Sequence, residues 1–317
     1  MNESTGPAAG PRDLFYPDRL LGFDMSQTTE ASSSLVSTTE VDALIDSIFG
    51  PLPADVAAAG REHLAAGGGR LRAQVALAAG EALGLNQDAR SSIAAACELV
   101  HNAALVHDDL QDRDSLRRGR PAIWHSHGED VALMLGDFFL SAAHAAMATS
   151  RSRVASDQLH AAVAETITGQ VADRAACYTP LNNLERYEQI AKQKSGALIA
   201  LALTAPLAAA GFDHAIADAY DAGRRYAVGY QMRDDIADID DDAARPGRAE
   251  RLNAVFVIAR ARCLTESDAV IACRARAVEH CEAAQAKAAA LPAGAGDALA
   301  EVSQRLACPL RQSADAA

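Results

Sequence analysis

Two acidic clusters combine residue type and spacing that could do chemistry: Asp108, Asp109 and Asp112 in HDDLQD, and Asp234, Asp235 and Asp238 in RDDIAD. Each has the form D-D-x-x-D. Helical residues four apart share a face, so Asp108 and Asp112 project side by side from a helix. Stacked carboxylates repel unless a cation lies between them. Magnesium is held by one or two carboxylates plus waters and substrate phosphates, so two such clusters facing across a cavity suit a metal-bridged diphosphate. One cluster alone would read as a solvated helix end; the second copy shifts the balance toward binding.

Anion ligands stand nearby in the sequence. The formal net charge is -13, which excludes nucleic acid or an anionic membrane surface as the main partner, yet basic residues gather locally. Arg70 and Arg72 follow Gly67, Gly68 and Gly69, and Arg113, Arg117, Arg118 and Arg120 follow the first acidic cluster. Glycines ahead of a helix leave N–H groups for an anion, and guanidinium forks bind two phosphate oxygens at once. His125 and His127 in WHSHG lack a third ligand and read as a surface loop.

The elements that must position these groups are helical. Half of the chain is hydrophobic but only 4% is aromatic, and alanine abounds, which suits an all-α bundle around a deep cavity. Ser37 and Glu40 have capping-box spacing ahead of the stripe Val41, Leu44, Ile45 and Ile48. Helices are expected over roughly 130–149 and 153–175. The apolar run from Gly196 to Gly211 is shorter than the roughly 20 residues of a membrane span and contains Pro206, so it reads as a buried core helix. Residues 1–36 are polar and aperiodic, an expected disordered lead-in without a secretory signal. A single helical domain over 37–308 and a tail over 309–317 complete the plan. Cys97, Cys177, Cys263, Cys273, Cys281 and Cys308 form no C-x-x-C pair and read as reduced cytoplasmic thiols.

From about residue 40 to residue 240 the chain resembles the trans-isoprenyl diphosphate synthases, or polyprenyl synthetases. The likeness rests on GGGRLRA (Gly67–Ala73), the block from His101 through the first acidic cluster to LRRGRPA, Gly136-Asp137, GQVAD (Gly169–Asp173), QKSGAL with Lys194, and YQMRDD (Tyr230–Asp235).

The resemblance implies a two-fold dimer that condenses isopentenyl diphosphate with an allylic diphosphate. It implies Mg2+ at Asp108, Asp109, Asp112, Asp234, Asp235 and Asp238. Arg117 and Lys194 fall to the allylic diphosphate, and Arg72, His101 and Arg118 to isopentenyl diphosphate, with Gln170, Asp173 and Gln231 at cavity positions. Ionisation by Asp108, Asp112, Asp234, Arg117 and Lys194 precedes attack by the isopentenyl double bond, and the released diphosphate takes the proton. Ala103 and Ala104, about one turn before Asp108, leave room for a long product, with Val100, Cys97, Phe138 or Phe139 as candidate floor; the expected product is geranylgeranyl diphosphate.

Two departures stand against the family pattern. Gly69 replaces the lysine of Gly-Gly-Lys-x-x-Arg, and the stretch after Asp238 offers Arg245, Arg248 and Arg251 where lysines are usual. They leave open a terpene synthase-like enzyme that ionises an allylic diphosphate alone; a non-catalytic synthase subunit is the remaining alternative.

Overall fold

The computed structural model describes residues 38–178, 181–239 and 252–312. Its helices are α1 (Thr39–Ser47), α2 (Ala54–Ala65), α3 (Leu71–Ala82), α4 (Gln87–Asp112), α5 (Ile123–His127), α6 (Glu129–Ala148), α7 (Arg153–Tyr178), α8 (Leu184–Ala191), α9 (Ala197–Ala209), α10 (Ile216–Ala237), α11 (Ala254–Arg262), α12 (Glu266–Ala289) and α13 (Asp297–Gln312). A small antiparallel hairpin, β1 (Leu116–Arg117) and β2 (Arg120–Pro121), follows α4. The fold is the all-α bundle that the composition predicts.

The predicted core helix is α9, buried on every side from Ala197 to Ala208. It packs against α3, α4, α7 and α10. Alanines allow this close crowding: a Cβ on Gly223 of α10 would lie 2.5 Å from the Ala200 backbone of α9. The main core also takes in Ile45, Phe49, Ile93, Leu99, Leu135, Phe139 and Leu159. A second part collects Tyr187, Val228, Met232, Val255 and Ile258 around the far half of α10. Thus α10 runs through both parts, which fixes the direction of its C-terminal end.

Two expected boundaries move. Thr38 caps α1 and its hydroxyl donates to Asp42 at 3.3 Å, while Ser37 of the expected capping box lies outside the described residues. Helix α13 continues through Pro309 to Gln312, burying Leu310, so the expected tail begins too early. The expected lead-in over 1–36, and Arg245, Arg248 and Arg251, lie outside the described residues. Helix α6 is long and apolar enough to span a membrane, but Leu135, Phe139, Ala143 and Met147 bury its inner face in the core.

Candidate functional site

The C-terminal ends of α4 and α10 meet across a cavity of about 530 Å3. Asn86 fixes the start of α4, its side chain accepting from the Ala89 N–H at 2.9 Å, and the 26-residue helix then carries His101, Asp108 and Asp112 to the cavity. Helix α10 brings Tyr230, Gln231 and Asp234 from the other side. Arg72, Arg117, Arg118 and Lys194 also line the space, so nine of the predicted site residues share one cavity: Arg72, His101, Asp108, Asp112, Arg117, Arg118, Lys194, Gln231 and Asp234.

Lys194 reaches the cavity from a π-helical turn, Lys192–Gly196, between α8 and α9. Its ammonium donates to Asp173 at 2.7 Å and lies 3.2 Å from Asp108. Burial alone would lower its pKa, but Asp108, Asp173 and Asp112 outweigh that and hold it above the ordinary lysine value. Gly169 allows this approach: a Cβ there would fall 2.3 Å from the Lys194 backbone nitrogen. The glycine of GQVAD therefore places the turn that delivers the lysine.

The middle aspartates of both clusters turn away from the cavity. Successive helical residues are about 100° apart, which takes Asp109 off the face of Asp108. Asp109 is 2% exposed and holds Arg117 in a bidentate pair, with Nε donating at 2.9 and 3.2 Å. Arg117 is thereby set toward the cavity and kept charged, its pKa raised because that pairing outweighs burial. Asp235 is also buried and accepts from the Tyr187 hydroxyl at 2.6 Å, the Ala254 N–H at 2.7 Å and Gln231 Nε2 at 3.0 Å. Burial pushes its carboxyl up to about 7 against those hydrogen bonds. The structure therefore places Asp109 and Asp235 as fasteners rather than at the metal positions first expected. Asp238 is the exposed C-cap of α10 and does not line the cavity.

Ala103 is fully buried in the main core and Ala104 packs partly buried against it. Neither lines the cavity, whose apolar wall is Leu105, Ile199, Tyr226 and Ala227.

At the glycine tract, the N-terminus of α3 has a protein ligand: the Ala73 N–H donates to Glu98 Oε1 at 3.0 Å. Arg70 spans Asp42 at 3.1 Å and Glu98 at 3.6 Å. Arg72 is partly buried, and its buried Nε has no hydrogen-bond partner among the described residues. Burial lowers its pKa and Glu98 opposes that shift. The Arg118 guanidinium lies over Gly68, where a Cβ would come 2.6 Å from Nη1. A guanidinium therefore stands beside the position of the missing lysine.

His101 is held neutral, its pKa driven well below the ordinary value by burial and then by Arg72, Arg118 and Arg117. Behind it His63 sits 3.1 Å from Asn102, lowered to about 4 by burial and Arg118. Glu98 and Asn102 line the cavity without having been singled out in the sequence. Glu98 carried a signal, a lone carboxylate on the apolar face of α4. His127 faces Glu62 at 3.2 Å, in keeping with a surface role.

The donor set fits magnesium. Among the described residues no ready-made group of three His, Cys, Asp or Glu ligands exists. Magnesium needs none, because one or two carboxylates suffice when phosphate oxygens and water complete the shell. Asp108, Asp112 and Asp234 supply hard oxygens facing the cavity, and the buried Asp108 Oδ1 has the Lys194 ammonium 3.2 Å away. These three would hold the ion.

The polyprenyl synthetase family model matches residues 54–257. A geranylgeranyl diphosphate synthase of Methanosarcina mazei is 34% identical over 210 residues, covering 64% of this chain and 64% of that protein. A (2E,6E)-farnesyl diphosphate synthase of Mycobacterium tuberculosis is 35% identical over 176 residues, 54% of this chain and 49% of that one. The chain thus spans about half to just under two thirds of the curated relatives it matches. A geranylgeranyl pyrophosphate synthetase structure from Geoglobus acetivorans superposes with a TM-score of 0.71 at 25% identity, over 85% of this chain and 97% of that one. A decaprenyl diphosphate synthase structure from Rhodobacter capsulatus, 21% identical, shares the fold with a TM-score of 0.74 over 90% and 98%. With that family match running from α2 through both acidic clusters into α11, the chain belongs to the polyprenyl synthetase family, the trans-isoprenyl diphosphate synthases.

Proposed function

We propose that this protein condenses isopentenyl diphosphate with an allylic diphosphate, releasing diphosphate and forming a longer trans-prenyl diphosphate, geranylgeranyl diphosphate in particular. The observation that carries the reading is one cavity in which Asp108, Asp112 and Asp234 face Arg72, Arg117, Arg118 and Lys194. Carboxylates for metal and cations for phosphate together suit a diphosphate bound through metal ions. Magnesium supplies charge neutralisation on the diphosphate leaving group.

The residues then divide the work. Lys194 and Arg117 bind the allylic diphosphate and stabilise the charge that grows as its C–O bond breaks, where preorganised cations act most strongly. Arg72, Arg118 and neutral His101 hold isopentenyl diphosphate. Arg118 over Gly68 serves in place of the lysine lost at Gly69. Leu105, Ile199, Tyr226 and Ala227 exclude water from the allylic cation. A proton leaves to the released diphosphate.

A second copy covers the outer face of α6, where Leu133 and Met134 are 51% and 54% exposed, giving a homodimer. A reducing, cytoplasmic setting suits the buried free thiols Cys97, Cys273 and Cys281. Gly69 favours one other reading, in which an allylic diphosphate is ionised and cyclised alone. Turnover with dimethylallyl, geranyl or farnesyl diphosphate, each with and without isopentenyl diphosphate, separates the two by product mass. The proposed reaction gives a longer diphosphate only when both substrates are present; a hydrocarbon or alcohol from the allylic substrate alone would establish the other.

A further inference from the structure

On the outer side of the first acidic cluster, Arg174 Nη1 donates to Asp112 Oδ1 at 2.8 Å. Asp112 lines the cavity and Arg174 does not, so the guanidinium grips this carboxylate from behind. The contact ties α7 to the C-terminal end of α4. One residue before it, Asp173 is tied to Lys194 at 2.7 Å, and one turn earlier Gln170 donates to Gln111 at 3.1 Å. Arg174 therefore arrives on an anchored stretch of helix rather than as a wandering surface side chain.

We infer that Arg174 is a positioning residue: the resident counter-ion of Asp112, which competes with metal for that carboxylate and sets how much metal is needed to load the site. The inference rests on the proposed metal-dependent reading of the cavity. Its physical basis is a contrast between two arginine pairs in one cluster. Asp109 is 2% exposed, so its pair with Arg117 is closed to exchange. The Arg174 and Asp112 side chains are 37% and 26% exposed, so solvent screens the pair and a better cation can displace it. Without metal, the guanidinium relieves the repulsion between Asp108 and Asp112; with metal, it must give up or share Oδ1.

The test is titration of the metal-free protein with Mn2+ in the presence of inorganic diphosphate, following free Mn2+ by electron paramagnetic resonance. Arg174→Gln should bind Mn2+ roughly two- to five-fold more tightly than wild type, the range an exposed ion pair supports. Arg174→Lys should fall between them, because a lysine keeps the charge but loses the guanidinium fork. It carries the test alone if the glutamine variant does not fold. Unchanged or weaker Mn2+ binding in a variant that melts as wild type does would overturn the inference while leaving the proposed function standing. Failure of wild type itself to bind Mn2+ with diphosphate would overturn both.

Discussion

The Lys194 ammonium lies 3.2 Å from the Asp108 carboxylate, so a cation from the π-helical turn before α9 stands against the first acidic cluster. The same ammonium is anchored by Asp173. In the proposed reaction it would meet the negative charge that develops on the leaving diphosphate. Replacing Lys194 with glutamine should lower kcat/KM by about 100- to 1000-fold, the cost of removing one preorganised charge from such a site. Steady-state kinetics with saturating isopentenyl diphosphate check this, and an unchanged kcat would show that Lys194 only holds α7 in place.

Gly68 and Arg118 make a separable prediction. The backbone at Gly68 has φ +130°, and an added methyl would strike the Arg118 guanidinium. Gly68→Ala should push Arg118 aside and raise KM for isopentenyl diphosphate several-fold, with little change in KM for the allylic substrate. Arg118→Ala should do the same. A matched rise in both KM values would place Arg118 in the allylic site instead.

His63 gives the stability profile a direction. Its folded pKa, about 4, lies below the ordinary histidine value of 6.5 because burial and Arg118 disfavour its charge. The unfolded chain thus takes up the proton first as pH falls. The stability from burying neutral His63 is complete above about pH 6.5 and is lost progressively toward pH 4, with a ceiling of roughly 3 kcal/mol. Denaturant melts at pH 7 and pH 5 should show a larger loss for wild type than for His63→Gln. Equal losses would mean that His63 is not buried neutral.

Product length should answer to the apolar wall. Ile199 of α9 faces the cavity and Ala104 does not line it. Ile199→Phe should shorten the product, and Ile199→Ala should lengthen it, since each buried CH2 adds about 0.8 kcal/mol and only a steric stop ends growth. Ala104→Phe should act less strongly than Ile199→Phe. The reverse order, read by mass spectrometry of the products, would show that the growing chain passes Ala104 on α4 rather than Ile199.

What the sequence made legible was periodic or local. The i, i+4 spacing of Asp108 and Asp112 put both on the cavity face, and an unbroken apolar run announced α9 as a buried helix. The middle aspartates misled because their spacing said nothing about the partners that draw them inward. Asp109 is claimed by Arg117, beyond the helix end, and Asp235 by Tyr187 on α8 and the start of α11. Likewise Arg174 meets Asp112 across 62 residues of sequence, a pairing that no local spacing announces. Glu98 was visible as a charge on a buried stripe, but its task of capping α3 needed the packing of two helices.

The most direct measurement is incorporation of carbon-13-labelled isopentenyl diphosphate by the purified chain, with magnesium and an unlabelled allylic diphosphate, read by mass spectrometry. Labelled five-carbon units should appear in a prenyl diphosphate longer than the allylic substrate, and both product and label should vanish when the metal is chelated. An unlabelled product, formed equally well without isopentenyl diphosphate, would contradict the assignment.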